Sequence, residues 1–429
     1  MPGAGLDASR PAAVVIGLDC ITGLQTARIL ARHGVPVIAI ATDASHYCCR
    51  TRIASRLIEA DTGSEALIEA LERLAPSLKH RAVLYPCSDA AVLQLARHRE
   101  RLAPRFHVAL PDRAVVEMLM DKTRFTAFAE NLGLPVPRSF VLRNRMDAER
   151  AAAELVFPCV LKPPVKTARW TQHTNAKVFR ANTPGALLDV YDRCSAWADN
   201  LTVQQWVEGP DAALYSCNCY YDRRGKAAVT FVARKLRQWP PRTGTSCLGE
   251  ECRNDTVLDL TRRTFDAAGF HGLGYLEVKR DARTGEHYVI EANVGRPTGR
   301  SAIAEAGGVE LIYAMYCDLL GLPAPANVEQ RYGGAKWIFW RQDVRSAFYY
   351  WRRGELSLRA WASSWKGRKA DAVFSWSDPG PFFADLGQGL SWRRWARPRG
   401  FTGDASSRHR GISPLPREGA PAALEGNER

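Results

Sequence analysis

Two runs typical of β-strands, joined by a short turn, place two glutamates of this chain opposite each other. The runs lie in 274–294, GYLEVKRDARTGEHYVIEANV, and the Arg-Thr-Gly between them suits a three-residue turn whose glycine takes the left-handed conformation. If Ala282 pairs with Glu286, the same register pairs Glu277 with Glu291. Like charges directly opposite each other destabilise a strand pair, so this acidic hairpin needs a counter-charge.

A divalent cation is the natural counter-charge for two carboxylates that are held together. Asn293 lies two residues beyond Glu291 on the same face and offers a third oxygen. Oxygen ligands of this kind suit Mg²⁺, which also takes ligands from substrate phosphates. The sequence therefore predicts a metal site on Glu277, Glu291 and Asn293; the alternative is an exposed hairpin with scattered acids.

The N-terminal part of the chain has the pattern of a parallel α/β domain. Residues 12–43 read as strand, helix and strand, with apolar residues at helical spacing in the middle segment. A further strand is predicted over 81–89, and helices over 90–102 and 113–132. Because such strand–helix–strand units favour a parallel sheet, we predict an open α/β domain over 12–120.

The turn after the first predicted strand carries glycines without a dinucleotide fingerprint. Five residues separate Gly17 from Gly23, and the sequence G-x-G-x-x-G is absent. Asp43 ends the second predicted strand, where an acid that binds a ribose would lie. An oxidoreductase that uses NAD or FAD therefore stays open as an alternative, although the acidic hairpin would have no function in such an enzyme.

The middle of the chain, 121–322, has the pattern of an α+β domain. A helix, MDKTRFTAFAENLG, is closed by Gly133, and the sequences FPCVLKP and LTVQQWVEG read as strands. Two alternating strands follow with Asp222–Gly225 as their hairpin turn, and a helix is predicted over 254–269. The acidic hairpin completes this region.

The order of these pieces resembles that of the ATP-grasp enzymes over about 12–322. Lys122 on a helix, Lys162 at the end of a strand, the sequence VQQWVEGPD and the acidic hairpin follow one another as in biotin carboxylase, the carbamoyl-phosphate synthetase large subunit and D-alanine–D-alanine ligase. The sequence RKLRQWPPRTGTS and the tryptophan-rich C-terminal part look more like the carboxylate–amine ligases of this superfamily, which include D-aspartate ligase. The resemblance implies an ATP-grasp fold, in which two α+β subdomains clasp ATP, preceded by an open Rossmann-like α/β domain.

The same resemblance implies an ATP site with Mg²⁺ or Mn²⁺ on the acidic hairpin. Lys162 matches the lysine that contacts the nucleotide phosphates, and Lys122 matches an earlier basic residue of the ATP site. The sequence VQQWVEGPD matches the hinge that lines the adenine, and its aspartate matches the acid on the ribose hydroxyls. The residues matched to the adenine and the ribose are Gln204, Gln205, Trp206, Val207 and Asp211.

Two departures from the family pattern concern the phosphates. The loop after Lys162, PPVKTARWTQHTNAK, has no glycine, whereas many members close a glycine-rich loop there. Basic side chains are expected to neutralise phosphate in its place. The sequence VGRPTGRS follows Asn293 where Asn-Pro-Arg is common, so Arg296 or Arg300 is expected to take that arginine's place. The basic candidates in the loop are Lys166, Arg169, His173 and Lys177.

Arg234, Lys235 and Arg237 form a dense group of positive charge at the end of a predicted strand. The functional interpretation places them at the γ-phosphate or the substrate carboxylate, because preset cations stabilise the charge that develops in phosphoryl transfer. The alternative is a solvated basic face.

The resemblance implies a ligase that joins a carboxylate to an amine through an acyl phosphate and releases ADP and phosphate. No side-chain nucleophile is needed, and no Ser/His/Asp or Cys/His signature is evident. Within the superfamily, carboxylation or phosphoryl transfer without amide formation stays open. A nucleotide-binding protein without catalytic activity is a further alternative. Relatives often form dimers, which implies a homodimer here.

Composition sets the remaining expectations. The chain has 429 residues and a net charge of +14, and 331–429 alone carries 18 Lys and Arg against 9 Asp and Glu. No nucleic-acid motif accompanies this charge, no apolar run reaches the length of a membrane span, and the N-terminus lacks the pattern of a signal peptide. Eleven cysteines without metal-site spacing suggest reduced thiols, so we expect a cytoplasmic protein that acts on small molecules.

The C-terminal part holds eight of the twelve tryptophans, mixed with arginine and lysine. It lacks the sustained apolar face of a helix that lies on a membrane, so we expect its rings to cap a core or a domain interface. The predicted divisions of the chain are a flexible N-terminus over 1–11, the α/β domain over 12–120, the ATP-grasp domain over 121–322, the Trp/Arg-rich region over 323–396 and a disordered tail over 397–429.

Overall fold

The computed structural model describes residues 10–163, 168–174, 178–198 and 201–390. The described residues divide into two compact units, the first formed by 10–136 and 207–390, the second by the described part of Pro137–Trp206. The predicted tail and three of the four basic loop candidates, Lys166, Lys177 and the side chain of Arg169, lie outside the described residues. The domain limits drawn from the sequence stay predictions.

The first unit opens with a parallel sheet, as the strand–helix–strand pattern predicted. Its strands are β1 Ala13–Ile16, β2 Val37–Ala41, β3 Arg56–Glu59, β4 Ala82–Pro86 and β5 Phe106–His107. Its helices are α1 Ile21–Arg32, α2 Glu65–Leu74, α3 Asp89–Arg97, α4 Arg99–Leu102, α5 Arg113–Met120 and α6 Lys122–Asn131. In the part of the chain that the structure describes, the strands run in the order β3-β2-β1-β4-β5, and β1 is buried throughout.

Backbone conformation and packing account for the two glycines in the turn between β1 and α1. Gly17 has a φ of +97°, a conformation that glycine adopts without a steric penalty. A Cβ atom on Gly23 would lie 2.1 Å from the Gly17 carbonyl oxygen, so the first turn of α1 packs on the backbone of the preceding loop.

The second unit is a small α+β structure. Its elements are β6 Ser139–Leu142, α7 Arg145–Glu154, β7 Cys159–Lys162, α8 Ala168–His173, β8 Phe179–Ala181, α9 Pro184–Ser195 and β9 Leu201–Gln205. The strands pair antiparallel in the order β6-β9-β7-β8 among the described residues, and α7 packs against α9. Trp170 and Leu161 lie in the buried core of this unit. The strands predicted from FPCVLKP and LTVQQWVEG are confirmed as β7 and β9.

A second, larger sheet follows in the first unit. Its elements are β10 Leu214–Tyr221, β11 Ala227–Trp239, β12 Thr245–Glu251, α10 Asp255–Ala267, β13 Gly272–Arg280, β14 His287–Val294, α11 Ala302–Ala306, α12 Leu311–Leu320, β15 Lys336–Ile338, α13 Trp340–Arg352, α14 Leu358–Ser364, β16 Lys369–Asp371 and α15 Gly380–Leu390. Within the described residues the strand order is β14-β13-β10-β11-β12-β15-β16. The predicted hairpin turn Asp222–Gly225 is confirmed, with Gly225 at a φ of +72°. None of the described helices is both long and apolar enough to cross a membrane.

The two glutamates of the acidic hairpin pair as predicted, but the register at the turn differs from the predicted one. Glu277 pairs with Glu291, but the turn pairs Asp281 with Glu286, one residue earlier than expected. A bulge leaves Ile290 without a partner between the pairs on either side and restores the register. Gly285 has the expected left-handed conformation, with a φ of +79°.

Candidate active site

The acidic hairpin brings together three side chains that carry oxygen ligands. Glu277 and Glu291 are direct partners on β13 and β14, and Asn293 Nδ2 donates to Glu291 Oε1 at 3.3 Å. The Lys235 ammonium, from β11, lies 3.4 Å from Glu277 Oε1. The two carboxylates therefore face each other, and among the described residues Lys235 is the one cation in contact with them.

The chemistry of this donor set fits a divalent cation that prefers oxygen. Two carboxylates and an amide oxygen are hard ligands, which Mg²⁺ and Mn²⁺ favour over softer metals. One lysine leaves the pair of carboxylates with a net negative charge, which a cation would neutralise. Among the described residues no group of three His, Cys, Asp or Glu side chains could hold a metal ion, so the amide of Asn293 is needed to complete a set of three.

Arg296 joins the acidic hairpin to the parallel sheet of the same unit. Its guanidinium donates to Asn293 Oδ1 at 2.7 Å and to Tyr275 Oη at 3.0 Å, and it pairs with Asp89 at the start of α3. Burial raises the pKa of Tyr275 to about 12, so this hydroxyl stays protonated at neutral pH. Arg296 thus orients the amide that lies beside Glu291.

Arg300 is a buried cation next to the same strands. Its side chain donates to Ser216 Oγ at 3.0 Å and to Ser246 Oγ at 3.5 Å, and the residue is 4% exposed. Ser216 is the partner of Glu277 on β10, and no described carboxylate lies within ion-pairing distance of this guanidinium. Burial lowers the pKa of Arg300, although the nearby charge of Glu277 opposes the shift. A buried arginine whose side-chain partners among the described residues are hydroxyl groups is suited to receive an anion.

The three basic residues of β11 have separate partners. Arg234 donates to Glu250 Oε2 at 2.8 Å, and Lys235 contacts Glu277 as described above. Arg237 instead forms a two-point ion pair with Asp343 on α13, at 2.7 and 3.0 Å. The group predicted as one cluster of charge is therefore divided, and Arg237 ties the C-terminal helices to the sheet.

Asp211 lies in a buried hydrogen-bond group at the start of the larger sheet. Its carboxylate accepts from the backbone and side chain of Gln238 at 3.2 and 2.7 Å, and from Tyr350 Oη at 2.6 Å. The residue is 8% exposed. Lys279 is a basic residue that the sequence interpretation did not include among the site candidates. Burial lowers its pKa to about 8, and the negative charges of Glu208 and neighbouring acids oppose that shift.

The second unit brings Lys162 and Gln204 together. The Lys162 ammonium donates to Gln204 Oε1 at 2.9 Å across the adjacent strands β7 and β9. The backbone N–H groups of Gln205 and Trp206 donate to Arg138 and Pro158, within this unit. Val207 begins the next segment of the first unit, and Lys122 is an exposed residue at the start of α6.

Strand register identifies functional candidates that the sequence interpretation missed. Tyr275 precedes Glu277 by two residues on the same face, so the period of a strand could have singled it out. Ser216, Ser246 and Glu250 come next to the site only through pairing between distant strands, for which the sequence held no signal.

Sequence comparisons connect the chain to amino-acid ligases. It is 26% identical over 189 residues to the D-alanine–D-alanine ligase of Pseudomonas entomophila strain L48, covering 41% of this chain and 54% of the relative. It is 22% identical over 242 residues to the D-aspartate ligase of Enterococcus faecium strain Aus0004, covering 54% and 57%. The chain spans about half the length of these curated relatives, and no family model matches it.

Solved structures resemble the chain over most of its length. N5-carboxyaminoimidazole synthetase from Staphylococcus aureus superposes with a TM-score of 0.58 at 14% identity, covering 77% of this chain and 82% of the other. The biotin carboxylase domain of 2-oxoglutarate carboxylase from Hydrogenobacter thermophilus, crystallised with MgADP, gives 0.57 at 16% over 75% and 72%. L-amino acid ligase from Bacillus licheniformis gives 0.54 at 14% over 72% and 74%. Likeness at these identities is a likeness of fold.

Proposed function

We propose a function for this chain from the premise that it has the ATP-grasp fold, the fold of the solved structures it resembles. The predicted fold class is thereby confirmed. The function is that of a ligase that uses ATP and a divalent cation to join a carboxylate to an amine. The names of the sequence relatives, D-alanine–D-alanine ligase and D-aspartate ligase, support small amino-acid-like substrates.

One observation carries the proposal: the opposed carboxylates of β13 and β14 lie beside two buried cations, Lys235 on β11 and Arg300 after β14. Glu277 pairs with Glu291 on one side and with Ser216 on the other, and Ser216 accepts from Arg300. Transfer of a phosphoryl group to a carboxylate needs oxygen ligands for a cation and positive charge for two anions. The acidic hairpin supplies the oxygen ligands, and Lys235 and Arg300 beside it supply the positive charge.

The metal-binding role falls to the acidic hairpin. Glu277, Glu291 and Asn293 would hold Mg²⁺ or Mn²⁺, with Arg296 fixing the orientation of the Asn293 amide. The bound ion supplies neutralising charge for the β- and γ-phosphates of ATP. Lys235, which contacts Glu277, would add positive charge for the phosphate oxygens.

The cations of the site position the reacting anions. Arg300, with Lys235 and Arg234, would hold the substrate carboxylate beside the γ-phosphate and stabilise the charge that develops between them. The carboxylate oxygen bonds to the γ-phosphorus as the bond from that phosphorus to the β–γ bridging oxygen breaks, which gives an acyl phosphate and ADP. The amine then bonds to the acyl carbon, phosphate leaves with the acyl oxygen, and the new amide nitrogen loses a proton.

The remaining candidates would bind or orient the nucleotide. Lys162 would contact phosphate from the position that Gln204 fixes, and Lys122 and Lys177 would add positive charge. Arg237 would act as a positioning residue, because Asp343 holds its guanidinium. The residues that would line the adenine and ribose are Gln204, Gln205, Trp206, Val207 and Asp211.

The test is turnover with defined amines and carboxylates. Purified protein with ATP and Mg²⁺ is expected to release ADP and phosphate only when an amino-acid-like carboxylate and an amine are both present, with an amide product detected by mass spectrometry. Glu291→Gln should abolish turnover, while Glu286→Gln, an exposed glutamate of the same hairpin, should keep it. Turnover that needs bicarbonate and yields no amide would assign the chain to carboxylation and contradict the proposal.

A further inference from the structure

Helix α13 buries two polar side chains and exposes three large apolar ones. Its inward face carries Asp343 and Ser346, which are fully buried and bonded to the larger sheet through Arg237 and the Gln238 carbonyl. Its outward face carries large apolar side chains, although a surface helix ordinarily exposes polar ones. The polar face is explained by its hydrogen bonds, whereas no described part of the chain buries the outward apolar side chains.

The outward apolar residues continue onto α14 and form one patch. The apolar patch consists of Val344, Phe348 and Trp351 on α13 and Leu358 on α14, which are 46%, 55%, 48% and 60% exposed. Between the two helices runs a groove of about 180 Å³ whose lining is almost entirely apolar. The sequence interpretation saw no sustained apolar face because the face is divided between two short helices that a turn at Gly354 joins.

Positive charge borders the apolar patch. Arg352 and Arg359 are exposed, and the Arg352 guanidinium lies 5.8 Å from the centre of the Phe348 ring. Glu355, the acid of the connecting turn, is already paired with Arg353 at 2.6 Å. An occupant of this surface must therefore be apolar at its centre and negatively charged at its border.

From this chemistry we infer that the α13–α14 surface binds an anionic lipid surface. Hydrocarbon fits a groove lined by aliphatic and aromatic carbon, and anionic headgroups fit the bordering arginines. Nucleic acid fits less well, because bases stack on rings and gain little from the aliphatic Val344 and Leu358. The basic C-terminal segment of the chain is also a poor occupant, because its charge has the same sign as the border. The inference is independent of the proposed ligase activity.

Vesicle sedimentation with the full chain tests this inference. Wild-type protein is expected to sediment with vesicles of equal parts phosphatidylglycerol and phosphatidylcholine, and to stay in solution with phosphatidylcholine alone. Each arginine near an anionic surface strengthens binding about fivefold, so Arg352→Gln/Arg359→Gln should weaken it roughly 25-fold. Trp351→Ser/Leu358→Ser should also weaken binding, because it removes the apolar anchor.

Matched control variants distinguish binding through the apolar patch from nonspecific binding through other surface charges or other exposed apolar side chains. Arg262→Gln/Arg263→Gln, on exposed positions of α10, and Met146→Ser, at an exposed methionine, should bind vesicles as wild type does. Circular dichroism melting checks that every variant is folded. Equal binding by the patch variants and the wild type, or no binding to anionic vesicles, would overturn the inference. Binding to duplex DNA without binding to vesicles would overturn it too and assign the surface to nucleic acid.

Discussion

Glu277 and Glu291 lie directly opposite each other on adjacent antiparallel strands. A bulge at Ile290, between this pair and the turn, sets the register that pairs them. Without the bulge, the register at the turn would place Ile290 opposite Glu277. Because a shift of one residue sends every side chain to the other face, the bulge determines that the two carboxylates share a face. The hairpin thus keeps an unfavourable like-charge pair that a bound cation would convert into a favourable one.

Glu291→Gln should change stability in opposite directions with and without metal. Without metal, removal of the like-charge pair should stabilise the fold by about 0.2–1 kcal/mol. With Mg²⁺ and a non-hydrolysable ATP analogue, the variant should show none of the added stability that the wild type gains. Thermal melts of wild type, Glu291→Gln and the hairpin control Glu286→Gln measure both effects. A ligand-dependent gain in Glu291→Gln equal to that of wild type would remove Glu291 from the metal site.

Arg300→Met should separate catalysis from folding. The substitution removes a buried charge, so the free energy of unfolding should fall little or rise. Turnover should fall about 100- to 1,000-fold, the cost of removing one preset donor at a developing charge. Arg300→Lys should recover little, because an ammonium lacks the planar fork of a guanidinium. Steady-state kinetics measure the loss, with Arg262→Met as an exposed control; turnover within a few fold of wild type in Arg300→Met would contradict this role.

Asp343→Ala should destabilise the fold strongly. The carboxylate is fully buried and accepts from Arg237, Trp361 and Trp365, so its removal leaves a buried guanidinium without its charge partner. The expected loss is about 3–5 kcal/mol in urea unfolding, whereas Arg237→Met/Asp343→Leu should recover much of it. Lowered turnover in the stable double variant would support the positioning role of Arg237, and turnover equal to that of wild type would contradict it.

Glu305→Gln should stabilise the protein at alkaline pH and not at acidic pH. Burial raises the pKa of Glu305 to about 7, with Glu310 adding to the shift, and its buried Oε1 atom has no hydrogen-bond partner among the described residues. The folded state therefore binds the proton more tightly than the unfolded state, and wild-type stability falls as pH rises from 4.5 through about 7. At about pH 8 the glutamine variant should be more stable than wild type by about 1 to 3 kcal/mol, and at about pH 4 nearly equal to it. Urea titrations at both pH values measure the difference; a constant difference would show that Glu305 does not titrate abnormally.

Local sequence patterns were sufficient to predict the elements whose contacts are local in sequence. The helical spacing after β1 and the turn glycine at 285 predicted their elements, and the pairing of Glu277 with Glu291 followed from a hairpin in which both strands are contiguous in sequence. The exact turn did not follow, because a bulge depends on how β14 packs rather than on any residue pattern at Ile290.

Long-range pairing limited the prediction of the site. Arg234, Lys235 and Arg237 read as one cluster, yet their partners Glu250, Glu277 and Asp343 come from three other elements. The separation of Arg237 follows from the position of α13 on β11, which no local signal reveals. For the same reason the apolar patch was invisible, since it is assembled from two helices.

The most direct test of the ligase proposal is a thermal-shift titration of the whole chain. Mg²⁺ with a non-hydrolysable ATP analogue is compared with Mg²⁺ alone, NADH and FAD. At about 100 times its dissociation constant, a ligand adds about 2.7 kcal/mol to the free energy of unfolding. The account predicts that gain for the ATP analogue only with Mg²⁺, and its loss in Lys162→Ala. Stabilisation by NADH or FAD, and none by the ATP analogue with Mg²⁺, would contradict the account.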